Sequence, residues 1–175
     1  MTGVQTCALP ILGYSEAMGW REGNPTLSKR RLLRERHVPI ILPEHHEIEE
    51  MISASSKSFG AMIRAAWLTG CRQNELVEAR WRNYNAKAKT LQIVGKGNKL
   101  RVIALSDEAC AHIDSQPKHE KCAFIFHTEK GKPFAQASSN FSGTRRFVTA
   151  RAAREGRSFQ GFRFHDLRQI GRAHV

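Results

Sequence analysis

The stretch that most constrains this chain is Ala65-Ala66-Trp67-Leu68-Thr69-Gly70-Cys71-Arg72-Gln73-Asn74-Glu75-Leu76. An apolar run with helical spacing stops at Gly70, the residue best able to end a helix in the left-handed region. A second helical pattern begins almost at once and carries Arg72 and Glu75, three residues apart and so on one helix face. An arginine held by a carboxylate at a helix start is well placed to grip a phosphate. Taken alone, the same residues also describe an ordinary helix corner with a surface ion pair, and such pairs are common and weak.

Two later segments add to this corner. Ile93 to Leu105 reads as a β-hairpin: Thr90-Leu91-Gln92-Ile93-Val94 alternates, Gly95 to Asn98 supplies turn chemistry, and Arg101 to Leu105 returns. Lys96 sits at its tip, with Lys99 close by. Near the end, Phe164-His165-Asp166-Leu167-Arg168 sets a His and an Arg three apart. The ordered set TGxRxxEL, GKGxKxR followed by an apolar strand, and HDLR resembles the tyrosine recombinases, the phage-integrase family. The resemblance runs from about Asn24 to Arg168. It implies an α+β fold: a mostly helical catalytic domain with a small antiparallel hairpin or sheet, here expected to be incomplete at its C-terminus.

Composition agrees with a polyanion partner. The chain has 175 residues, 28 Lys plus Arg against 16 Asp plus Glu, and a formal charge of +12. A pI near 10.1 suggests DNA or RNA, although general basicity has other causes. No apolar run approaches the ~20 residues of a membrane span. Cys71, Cys110 and Cys122 have no metal-type spacing and suggest reduced thiols rather than a disulfide frame, Cys7 lying in a terminal stretch set aside below. His45 and His46 lie beside Glu44 and Glu47, but adjacent helical residues face different ways, so no metal site is expected.

Both ends read as something other than protein. A coding string for Ile170 to Val175 has a reverse complement that encodes Thr6 to the start of Ile11. The string resembles a short-read sequencing adapter, and Met1 to Gln5 continue it upstream. Residues 1–11 and 170–175 are therefore expected to be adapter translation, and are set aside. Between them, 12–37 reads as the last helix of a preceding domain plus a basic linker, and 38–169 as a truncated catalytic domain.

In chain order, Tyr14 to Met18 is helical and Gly19, Gly23 and Pro25 end it. Lys29, Arg30, Arg31, Arg34 and Arg36 form a basic linker, suited to phosphate contacts or simply to solvent. Val38 to Leu42 is extended. Pro43 suits a first helical turn, followed by an apolar stripe of Ile48, Met51 and Ile52. A second helix over Phe59 to Leu68 turns Met62, Ile63, Ala66 and Trp67 inward. The helix after Arg72 is expected to reach about Arg80, with Asn83 to Lys89 as a turn. Ser106 caps the next helix, Ala123 to Phe126 reads as a buried strand, and Ser138 to Glu155 as a long helix with Phe141, Phe147 and Val148 inward. Its Arg145, Arg146, Arg151 and Arg154 form a basic face that serves either DNA contact or solubility.

The resemblance assigns roles by position. Arg72 and Arg168 would neutralise the non-bridging phosphate oxygens; His165 would transfer a proton or hydrogen-bond the phosphate; Lys96, or Lys99 in its place, would act as general acid. Glu75 would hold Arg72 or the His. Lys29, Arg30, Arg31, Lys99, Arg101, Arg145 and Arg146 are expected DNA contacts. The family's nucleophile is a tyrosine that forms a 3′-phosphotyrosine, with no metal or other cofactor. This chain has only Tyr14 and Tyr84, both ahead of Lys96, whereas the family's Tyr follows the HxxR motif. The expected partners are double-stranded DNA and, for the intact protein, three further copies in a tetramer on two duplexes; no membrane is expected, and the setting is a bacterial or phage-encoded cytoplasmic protein. A non-catalytic DNA-binding protein on the same scaffold is the alternative.

Overall fold

The structure, a computed structural model, describes residues 11–24, 42–95 and 100–171. The chain divides into two compact units, Met1–Pro39 and Ile40–Val175. In the first unit, helix α1 occupies residues 11–17. The Ser15 hydroxyl bonds back to the Leu12 carbonyl at 2.9 Å, and Tyr14 meets Trp20 edge-on at 5.8 Å.

The second unit is built on two helices packed together, α2 (His45–Ser53) and α3 (Lys57–Thr69). Ile48 and Met51 of α2 meet Met62, Ile63 and Ala66 of α3, all five essentially without solvent exposure. Gly60 permits the close approach: a Cβ there would lie 2.8 Å from the Ile52 carbonyl oxygen. Ser56 caps α3 through the Phe59 N–H, and Gly70 ends it at φ 62°, a conformation an L side chain adopts only at a cost. Pro43 stands before the α2 cap, which is Glu44, rather than inside the first turn.

A short helix, α4 (Gln73–Val77), follows at once. It stops well before Arg80, because the chain there bridges Phe124: Ala79 accepts from the Ile125 N–H and Ala123 from the Trp81 N–H. Ala123 to Phe126 is thus an isolated bridge and not the strand expected from its apolar run, though Ile125 and Phe126 are buried. After a 3-10 turn at Trp81–Asn83 come β1 (Tyr84–Asn85), β2 (Thr90–Val94) and β3 (Leu100–Ala104). They form an antiparallel sheet in the order β1-β2-β3. Strand β1 lies within the segment read from sequence as a plain turn.

Helices α5 (Asp107–Asp114), α6 (Ala137–Arg154) and α7 (Phe164–Gly171) complete the unit. Ser106 caps α5 through the Ala109 N–H at 3.2 Å. On α6, Phe141 and Val148 are buried as expected, but Phe147 is 59 % exposed, because its neighbour Val148 takes the core position and successive helical residues diverge by about 100°. The Arg151 guanidinium covers the Phe147 ring at 5.8 Å. Helix α7 packs on α3 with Leu167 fully buried, and Ile170 is half-buried against the same core.

The loop into α7 is held from α2. Glu47, 4 % exposed, accepts the Gln160 N–H at 2.6 Å and the Glu44 N–H at 3.0 Å. One turn on, Glu50 pairs with Arg151 at 2.7 Å and Arg157 at 3.0 Å. Glu47→Ala would leave two backbone donors without their acceptor, a loss of about 1–3 kcal/mol. The expected result is a lower urea midpoint, with amide exchange at Gln160 accelerated beyond the global change.

Candidate functional site

The site grows from the α3–α4 corner. The Thr69 hydroxyl donates to the Ala65 carbonyl at 2.6 Å and accepts the Cys71 N–H at 3.3 Å, so the last turn of α3 and the first residue beyond Gly70 are tied together. Arg72 caps α4 in an extended conformation. Glu75, three residues on, reaches back: its Oε2 accepts the Arg72 N–H at 2.7 Å and its Oε1 accepts Arg72 Nη1 at 2.9 Å. The spacing read from sequence therefore becomes both a helix cap and an ion pair.

Glu75 has a second cationic partner. Arg101 of β3 donates Nη2 to Glu75 Oε2 at 2.7 Å. Its cross-strand partner is Ile93, which is 2 % exposed, and period-2 alternation puts both on the inner face of the sheet. Leu100 and Val102, the apolar residues flanking it, are each 64 % exposed. Hydropathy alone suggests the opposite phase. The clue available in the sequence is the register: the inward alternation of Leu91 and Ile93 carries across the hairpin to Ile103 and Arg101.

The Glu75 carboxylate is 4 % exposed, whereas the side chains of Arg72 and Arg101 are 50 % and 38 % exposed. Burial alone would raise its pKa; the Arg72 N–H, the Arg72 guanidinium and Arg101 outweigh burial and hold it below the ordinary carboxylate value. Cys71, 1 % exposed, lies beneath the same group. Burial pushes its thiol up to about 11, Glu75 adds to the rise, and the Thr69 hydroxyl, Arg101 and Arg168 oppose it. Arg168, from α7, thus belongs to the electrostatic surroundings of the corner.

Helix α7 starts with the same device as α4. The Arg163 N–H bonds Asp166 Oδ2 at 2.7 Å, and its guanidinium pairs with Asp166 at 3.2 Å. Asp166 is buried, His165 is exposed and Arg168 half-buried on that helix. Arg145 is half-buried and donates to the Phe162 carbonyl at 3.2 Å, while Arg146 is exposed. Lys29, Arg30, Arg31, Lys96 and Lys99 lie outside the described residues. Among the described residues, no three His, Cys, Asp or Glu side chains are grouped so as to hold a metal ion; His45 packs on Trp67 at 4.8 Å and His46 pairs with Glu44 at 3.2 Å. Cys71, Cys110 and Cys122 are buried free thiols. No helix among the described residues is long and apolar enough to cross a membrane.

The second unit thus combines helices with a three-stranded sheet, brings two arginines onto one buried carboxylate, and packs the helix that carries His165 and Arg168 on α3. Residues 42–174 match the phage integrase family, and the chain belongs to that family, the tyrosine recombinases. It is 28% identical over 131 residues to the integrase of Salmonella phage P22, covering 71% of this chain and 34% of that protein. In fold it is similar to a lambda integrase dimer bound to a COC′ core site, with TM-score 0.69 and 18% identity over 95% of this chain and 63% of the other. The Tn1549 transposon integrase in complex with circular intermediate DNA gives TM-score 0.69 at 12% identity, over 95% of this chain and 64% of that one. The chain thus spans about a third of its curated relative and under two thirds of these structures.

A lowered native pKa has a defined consequence for stability. Glu75 contributes stability that is fully present above its ordinary value of 4.5 and is lost as pH falls through the lower native value. The slope for one group is at most about 1.4 kcal/mol per pH unit. Urea unfolding between about pH 6 and about pH 3 should show wild type losing its advantage over Glu75→Gln only below the ordinary value.

Proposed function

We propose that the intact protein is a site-specific DNA recombinase that cuts and rejoins strands through a 3′-phosphotyrosine. The arrangement that carries this reading is the Arg72–Glu75–Arg101 cluster, with α7, the helix of Arg168, packed on α3. Arg72 and Arg168 would neutralise the non-bridging oxygens of a phosphodiester, where fork geometry matches two oxygens at once. A tyrosine oxygen would attack phosphorus, the 5′ oxygen would leave, and Lys96 would protonate it, with Lys99 able to serve instead. His165 would hydrogen-bond the phosphate or move a proton, and Glu75 orients Arg72. Conserving the phosphoester bond energy in the covalent intermediate makes rejoining feasible. Double-stranded DNA is the partner in this reading, with four copies acting on two duplexes.

The basic residues Lys29, Arg30 and Arg31 would follow the DNA backbone ahead of a catalytic domain over 38–169, and Arg145 and Arg146 would add contacts from α6. Residues 1–11 and 170–175 would derive from adapter sequence, as their complementary coding suggests. Tyr14 and Tyr84, the chain's only tyrosines, precede Lys96, so the 175-residue chain should bind DNA without cleaving it.

The test is to read genomic DNA outward from the Arg168 codon and express the continued frame. A frame that runs through another His or Trp and then a Tyr should give a protein that forms a covalent DNA adduct. Arg72→Ala should slow adduct formation by about 100-fold or more. Genomic sequence that encodes Ile170 to Val175 and then stops would overturn the enzymatic reading in favour of a DNA-binding protein.

A further inference from the structure

The Glu75 carboxylate is shared by two arginines, and the two are not equivalent. Arg72 and Glu75 alone sum to zero charge. A neutral pair attracts a phosphate weakly, since any approach of the anion to Arg72 also brings it towards a carboxylate. Arg101 makes the cluster +1. It is the less exposed of the two side chains, 38 % against 50 %, and its stem lies on the inner face of β3 opposite buried Ile93. Its Nε is buried without a hydrogen-bond partner. Arg72, at the helix cap, is additionally anchored through its backbone N–H on Glu75 Oε2, so its guanidinium can swing from Oε1 while the helix cap stays intact.

We infer that Arg101 is the resident counter-ion of Glu75, a positioning residue that releases the Arg72 guanidinium to bind a phosphate oxygen and ties β3 to that site. This rests on the phosphate-clamp reading above. It gives Arg101 a role distinct from a DNA-backbone contact: Arg101 acts through Glu75. Without it, the buried carboxylate retains Arg72 as its sole partner, because a buried charge left unpaired is strongly disfavoured.

The test uses the full 175-residue chain and a fluorescently labelled random-sequence DNA duplex, with affinity measured across a salt series. Arg101→Met should weaken binding about tenfold or more and lower the salt slope by about one, the signature of one lost phosphate contact. Arg72→Ala should do the same. The discriminating variant is the double substitution Glu75→Gln with Arg101→Met, which removes the carboxylate along with its counter-ion. Affinity and slope returning to within about threefold of wild type support the inference. A double variant as weak as Arg101→Met overturns it and makes Arg101 a direct DNA contact or a purely structural residue. Should Arg101→Met fail to fold by circular dichroism, the double variant alone decides on the same criterion. If Arg72→Ala leaves binding unchanged, the phosphate-clamp reading itself fails; if Arg72→Ala weakens binding and Arg101→Met does not, only the role of Arg101 fails.

Discussion

The architecture around the site depends on one buried carboxylate. Glu75 is almost fully withdrawn from water and holds a backbone N–H, a guanidinium from its own helix and a second guanidinium from β3. Ionised groups leave water only when their partners compensate them, and here that compensation joins segments 26 residues apart in sequence. The corner made by Gly70, the start of α4 and the foot of the hairpin are therefore one electrostatic unit.

The same local solution recurs at three helix starts. Glu44 with Glu47, Arg72 with Glu75, and Arg163 with Asp166 each place a carboxylate three residues into the helix, bonded to the N–H of the residue before it. Helix N-termini leave backbone donors without intrahelical partners, and an acidic group there also meets the positive end of the dipole. In two of the three cases the residue before the helix is an arginine, so the cap also fixes a cation. The two Arg caps belong to the helices that carry the family's motifs, α4 and α7.

Helix α2 contributes to the site without touching it. Through Glu47 and Glu50 it holds the 157–160 segment and α6. Phe141 then receives Phe162 and Phe164 at 5.7 and 5.3 Å. These contacts determine where α7 starts and hence where His165 and Arg168 stand. Aromatic edges of this kind resist small displacements, because packed interiors have few alternative arrangements.

The sequence by itself determined the local elements: Gly70 as a helix stop, Ser106 as a cap, the Arg72–Glu75 spacing on a helix start, and two strands on either side of Gly95, with the return strand starting and ending one residue earlier than its pattern suggests, all follow from conformational preference or period, while the family came from the order of its motifs. Tertiary packing decided the rest. Hydropathy placed Phe147 in the core and the structure exposes it, because its neighbour Val148 takes the buried position on α6. Apolar content suggested a strand at Ala123 to Phe126, yet only one bridge forms, since its partner is the chain leaving α4 and not a strand. Above all, the inward turn of Arg101 onto Glu75 was not legible from its exposed apolar neighbours. The hairpin register puts Arg101 on the inner face, but which carboxylate it meets there is selected by where the sheet sits on the helices, and local sequence carries no term for that placement.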